Sequence, residues 1–181
     1  MKAEECTLFS GGAQGAEAEF GAAAEQMGME EINFTFEGHP VARQRGLRHL
    51  THEELLHGDV SLSYVSKLMN RSYTQGPLLK KVLQSIWHQI NSAEEVFVIG
   101  KIQDDDTVKG GTGWGAEFAK LCNKPLHVYD QDQKQWFWWN GDKWEQGNPK
   151  IKKRHIAGTG TRFLNDAGKQ AIADLFKTSF K

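Results

Sequence analysis

VFVIGKIQDDDTVKGGTGWGAEFAKLCNKPLHVYD, running from Val96 to Asp130, decides the fold of this chain. Its first five residues, Val96–Gly100, form a short apolar run closed by a glycine, as expected of a parallel strand covered on both faces. Gly110, Gly111 and Gly113 lack a Cβ and let the backbone turn sharply and approach a ligand. Trp114, Phe118, Leu121 and Cys122 then recur at helical spacing, which predicts a helix with one apolar face. Lys124-Pro125 stops that helix, and Leu126–Tyr129 supplies the next strand. A strand, a glycine turn and a helix N-terminus together make a site for anions or for the polar rim of a nucleotide.

The start of the chain repeats this plan. Cys6–Ser10 reads as a strand running into Gly11-Gly12-Ala13-Gln14-Gly15. Ala16, Phe20, Ala23, Ala24 and Met27 mark one face of the helix that follows. Two such turns in one parallel sheet both fall at the carboxyl ends of strands, where open α/β sheets bind ligands. Ile32–Phe36 alternates and reads as the second strand. It leads into a basic cluster of His39, Arg43, Arg45, Arg48 and His49, which is either a ribose- or phosphate-selecting element or a solvated charged loop.

Thr51-His52-Glu53-Glu54 has the capping-box pattern of a helix start. Leu62, Val65, Leu68 and Met69 give a second short helix, broken near Asn70-Arg71-Ser72. Pro77 suits a first helical position, and Leu79, Val82, Leu83, Ile86 and Ile90 carry that helix to about Asn91, with Lys80, Lys81 and His88 toward solvent. Asn140-Gly141 predicts a two-residue type I′ turn pairing Gln135–Trp139 with Lys143–Gln146. The aromatic residues Trp136–Trp139 and Trp144 make that hairpin a lid on the core, a subunit interface or a base-stacking wall. A final short strand, His155–Gly158, meets a third glycine turn, Gly158-Thr159-Gly160-Thr161-Arg162. A last helix capped by Asn165 follows.

With 181 residues, 39% hydrophobic and 25% charged, the chain reads as one soluble domain without linkers. A formal net charge of -1 gives no pull toward nucleic acid or anionic membranes, and direct nucleic-acid binding is not expected. No apolar run approaches the roughly 20 residues of a membrane span, and MKAEECTLF lacks a signal peptide's apolar region. Cys6 and Cys122 read as two buried, reduced thiols of a cytoplasmic protein. Asp104-Asp105-Asp106 reads as a solvated loop rather than a metal site, because adjacent carboxylates splay apart in an extended segment.

SGGAQGAEAEF (Ser10–Phe20), VKGGTGWGAEFA (Val108–Ala119) and IAGTGTR (Ile156–Arg162) resemble the SLOG superfamily, along nearly the whole chain. This Rossmann-like group includes the LOG-type phosphoribohydrolases, the DNA-processing protein DprA and the molybdenum-cofactor carrier-like proteins. The likeness is nearest to small, often phage-borne members. It implies an α/β, Rossmann-like fold with a mostly parallel sheet flanked by helices, and a homo-oligomer; the small tryptophan-rich hairpin read from Asn140-Gly141 adds to that fold. Gly110-Gly111-Thr112-Gly113 with Glu117 matches the pattern in which, among LOG-type enzymes, the glutamate helps cleave the N-glycosidic bond to ribose phosphate. Trp114 stands where threonine is usual, Glu17 where aspartate is usual, and Gln84–His88 lacks the enzymes' arginine; Arg71, Arg43 or Arg162 would have to supply that charge.

Three functions follow. The first is a sensor, carrier or sequestering protein for a nucleotide or nucleotide-derived ligand. In it, amides of Gly11–Gly15 and Gly110–Gly113 hold phosphate, Glu117 and Glu17 hold ribose hydroxyls, and Arg162 or Arg43 neutralises charge; Ser10, Trp114, Gly158, Gly160 and Thr161 border the ligand. The second is a nucleoside 5′-monophosphate N-glycosidase with Glu117 as catalytic residue. The third binds molybdenum cofactor in the same turns, or serves as an assembly module built on the tryptophan hairpin.

Overall fold

The computed structural model describes residues 1–73 and 76–181. The strands are β1 (Thr7–Ser10), β2 (Glu30–Thr35), β3 (Leu47–His49), β4 (Glu95–Gly100), β5 (Leu126–Asp130), β6 (Gln135–Trp139), β7 (Trp144–Gln146) and β8 (His155–Gly160). The helices are α1 (Ala16–Gln26), α2 (His52–Leu56), α3 (Asp59–Leu68), α4 (Pro77–Ser92), α5 (Thr112–Leu121) and α6 (Asp166–Ser179). All eight strands join one sheet in the order β3-β2-β1-β8-β4-β5-β6-β7. The first six of that order run parallel; β6 and β7 add on antiparallel. This is a Rossmann-like α/β architecture.

β4 holds the middle because both its faces are apolar. Val96 and Val98 pack toward α3, α4 and α5, while Phe97 and Ile99 pack toward α1 and α6. All six residues of the strand are buried. Full burial of each large apolar side chain is worth about 1.5–3 kcal/mol, so β4 alone commits the chain to a three-layer arrangement. Strand order runs outward from β1 on one side and from β4 on the other, with β8 inserted between them. The carboxyl ends of β1, β8 and β4 therefore flank the point where connections reverse direction, the usual ligand position in such sheets.

Local signals place several elements as the sequence predicts. Thr51 and Glu54 form the reciprocal capping box of α2, Pro77 opens α4, and the Asn165 side chain accepts from the Gly168 amide to start α6. Other expectations change. Gly158, Thr159 and Gly160 are not a turn but the end of β8. Gly158 is needed because a Cβ there would lie 2.6 Å from the Phe20 ring, so α1 could not pack on the strand. The hairpin turn is displaced by one residue: Asn140 pairs with Lys143 and Trp139 with Trp144, leaving Gly141-Asp142 at the tip. The Asn140 side chain accepts from the amides of Asp142 and Lys143, which draws it out of the turn centre.

Three further differences have plain causes. β3 forms within the expected basic loop because Leu50 and the backbone of Asn33–Thr35 give it a partner edge. Cys122 is exposed at the end of α5, and Cys6 alone is buried. His88 is half-buried against Trp87 and Phe34, hydrogen-bonded to the Glu54 carbonyl at 2.6 Å, and burial lowers its pKa.

Candidate functional site

A cleft of about 420 Å³ opens at the carboxyl ends of β1, β8 and β4. One wall is the first glycine turn and the start of α1, contributing Ala13, Gln14 and Glu17. Gly111 and Thr112 at the start of α5 border it, and Thr159, Gly160 and Arg162 enter from the end of β8. The remaining wall is α4, through Leu78, Val82, Ser85, Ile86 and Gln89. The buried polar members, Glu17, Ser85, Gln89 and Thr159, make the floor polar, with Ile86 buried beside them; the exposed leucines 78 and 79 make the rim apolar.

Glu17 is the most constrained group here. It is 7% exposed, and Thr159 Oγ1 (2.9 Å) and Gln89 Nε2 (3.3 Å) donate to its Oε1. The Ala13 amide donates to Oε2 at 3.1 Å. Burial nonetheless outweighs these donors and raises its pKa above the ordinary carboxyl value, and no cation among the described residues pairs with it. Gly11 is required beside it: a Cβ there would lie 2.6 Å from both Glu17 Oε2 and Gln89 Nε2. Gln89 keeps its Oε1 buried with no hydrogen-bond partner among the described residues.

A second cavity of about 380 Å³ adjoins the first, the two sharing Leu79 and Gly111. Arg71, Gln103, Gly110 and Trp114 complete its lining. The Arg71 guanidinium donates to the carbonyls of Gly110 (2.9 Å) and Val108 (3.0 Å), to Gln103 Oε1 (2.9 Å) and to Thr107 Oγ1 (3.1 Å). All four acceptors are neutral. Asp105 feels its charge but forms no ion pair with it among the described residues, and is turned to Thr107 instead. The amides of Gly111 and Thr112 donate to no oxygen among the described residues, so the start of α5 presents donors beside this cationic cavity.

The remaining sequence candidates lie elsewhere. Ser10 is buried and donates to the Gly158 carbonyl at 2.6 Å, tying β1 to β8. Gly12 accepts from the amides of Ala42 and Arg43, and Gly15, at φ +97, is pressed against the backbone of Thr161 and Arg162. Thr161 uses its hydroxyl on the Phe163 amide. Gly113 has no room for a Cβ, which would overlap the Val108 carbonyl oxygen. Arg43 lines neither cavity. It binds Glu31 at 2.6 and 2.8 Å and Glu25 at 2.8 Å, and Arg45 also reaches Glu31. Arg48 pairs with Glu54, so the basic cluster is answered by carboxylates. His39 alone of that cluster borders the cleft.

Glu117 also lies outside both linings. Its carboxylate is 3.3 Å from Lys120 Nζ on the next turn of α5. That ammonium sits 3.9 Å from the Trp139 ring centre and 5.0 Å from that of Trp144, and donates to the Asp106 carbonyl at 2.9 Å. Trp144 Nε1 donates to the same carbonyl. Trp136 packs edge-on to Tyr129 and Phe97, and Trp138 is the exposed tryptophan of the strand. The hairpin thus extends the sheet and clamps the loop after β4.

Sequence reasoning missed the α4 wall. Leu78, Val82, Ser85 and Gln89 follow one another at helical spacing, and polar residues on an otherwise apolar stripe are the signal that pointed to it.

No family model matches the chain, and no curated protein matches it. Among solved structures it is similar to one described as "Putative molybdenum carrier protein" from Syntrophus aciditrophicus SB, with a TM-score of 0.55 and 15% sequence identity. The match covers 97% of this chain and 94% of that one, so the two share a fold over nearly their whole length. Among the described residues, no helix is long and apolar enough to cross a membrane.

Proposed function

We propose that this chain binds a nucleotide or nucleotide-derived phosphorylated ligand in the cleft between its first glycine turn and α4, as a carrier, sensor or sequestering protein of SLOG type. The observation that carries this is the cleft's position. It lies at the reversal of strand order, walled by two strand–turn–helix units, and its volume lies within the range of about 300–1,000 Å³ common to small-molecule sites. Arg162 at the rim and the amides starting α5 suit phosphate; the polar floor suits a heterocycle or ribose.

The shared fold with a protein named for carrying molybdenum supports a carrier role, with a molybdenum-bearing pterin phosphate as one form of cargo. The residues fit the organic part of such cargo: amides and arginines for its phosphate, Glu17 and Gln89 for its ring. The carboxyl facing the cleft is Glu17 rather than Glu117, so binding is better supported than N-glycoside hydrolysis by Glu117.

Gly111→Phe tests the placement. Gly111 has helical φ, and a Cβ at this position would meet only Leu83 within 4 Å, so the variant should fold. Its melting temperature should stay within a few degrees of the parent, while affinity for nucleoside monophosphates, read by calorimetry, disappears. Undiminished affinity would remove the ligand from this cleft.

A further inference from the structure

We infer that the two adjoining cavities form one bipartite site: Gln89 and Glu17 read a hydrogen-bond-donating edge of the ligand's ring, and Arg71 holds its anionic end. This rests on the nucleotide-binding reading above and adds the ligand's orientation and the residues that select it.

Gln89 is 1% exposed and lines the first cavity, yet its Oε1 has no partner among the described residues. A buried acceptor left unmade is costly, and of the buried side-chain atoms without a partner among the described residues Gln89 Oε1 is the one whose residue lines the cleft, where a ligand can complete it. Its Nε2 is already directed at Glu17, which fixes the open valence as an acceptor. Glu17 adds acceptor capacity beside it, each carboxyl oxygen having more than one lone-pair direction. An ammonium or amine edge satisfies this floor; a phosphate there would face a carboxyl and an amide oxygen with no cation between them. The walls above, Val82 and Ile86, are apolar and suit the faces of a flat ring.

Arg71 supplies the opposite requirement. Its four acceptors are neutral, so its positive charge is not cancelled at contact distance, unlike those of Arg43, Arg45 and Arg48. It lines the second cavity together with Gly110 and Gly111, next to the open amides that start α5. Leu79 and Gly111 belong to both linings, so a ligand can pass from one cavity to the other without leaving the protein surface. Donor edge at one end and anion at the other is the chemistry of an amino-substituted heterocycle carrying a phosphate.

Calorimetric titration of the full chain with AMP, GMP, the amine-free purine riboside 5′-monophosphate and adenosine tests both halves. The parent should bind AMP or GMP at least about tenfold more tightly than the amine-free nucleotide, a difference of about 1.4 kcal/mol. It should also bind AMP more tightly than adenosine. Gln89→Leu should collapse the first ratio toward one and leave the second. Arg71→Gln should collapse the second and leave the first, while Arg71→Lys, which keeps the charge, should retain it; melting curves establish that each variant is folded. Equal affinity for the amine-free nucleotide, or preference for it, overturns the role of Gln89. An unchanged preference for AMP over adenosine in Arg71→Gln overturns that of Arg71. Failure of every nucleotide to bind the parent overturns the binding reading itself and this inference with it.

Discussion

Buried charge is treated in opposite ways in two regions of this molecule. Beneath α1, the Glu31 side chain is fully buried and met by Arg43, Arg45 and the Asn33 amide. Burial pushes its pKa up, but the Arg43 hydrogen bond, with those from Asn33 and Arg45, more than reverses this and leaves it below the usual carboxyl range. Around the cleft, among the described residues, Glu17 meets only neutral donors and its pKa is raised by burial, while Arg71 meets only neutral acceptors. The first region uses its charges to hold α1, β2 and the following loop together. The second leaves them available. Residue type is the same in both; the partner decides which is scaffold and which is site.

The largest effect should come from breaking the paired region. Arg43→Ala leaves the buried Glu31 carboxylate with Arg45 and the Asn33 amide but without its closest cation, and should cost about 3 kcal/mol in urea unfolding, the low end of the loss for a broken buried pair, whereas Arg43→Ala with Glu31→Gln should recover much of that loss. A loss below about 1 kcal/mol would show that Arg43 is not the scaffold element assigned to it. Arg71→Gln should cost less, about 1–2 kcal/mol, because the oxygens it abandons are neutral and partly wetted. A loss equal to that of Arg43→Ala would erase the contrast between the regions.

The smallest effect is the pH dependence of Glu17. Its folded-state pKa lies above the ordinary 4.5, so the folded chain holds a proton that the unfolded chain has released. The contribution of Glu17 to stability is therefore fully present below about 4.5 and is lost as pH rises through the folded-state value. Glu17→Gln carries no such proton, so its stability relative to the parent should improve as pH is raised from about 4 to 8, in paired thermal melts. A flat difference would mean that Glu17 titrates as in the unfolded chain. Glu31 has the opposite sign: its contribution is complete above 4.5 and fades as acid passes its lowered pKa.

Much of the architecture was legible in local pattern. Val96–Gly100 announces a strand covered on both sides because an unbroken apolar run closed by a glycine at its fifth residue is too short for a buried helix. Thr51, Pro77 and Asn165 mark helix starts by chemistry confined to a few residues. The GTG of β8 misled because its glycines serve packing rather than turning: Phe20, far away in sequence, needs the space at Gly158. The roles of Arg43 and Arg71 were equally hidden. Arg43 is settled by Glu31, twelve residues back, and Arg71 by carbonyls more than thirty residues ahead. The cleft's α4 wall depends on which face a crossover helix turns to the sheet, and that is decided only when the layers close.

Lys120 offers a use beyond its role in clamping the loop after β4. Its ammonium is enclosed by two indole rings, the Asp106 carbonyl and the Glu117 carboxylate, and its side chain is 10% exposed. An amine enclosed this way is shielded, so acylating reagents that label open surface lysines should reach it only when the β6–β7 hairpin lifts away. The rate at which Lys120 acquires such a label is then a clock for that opening, readable by peptide mass at a single residue.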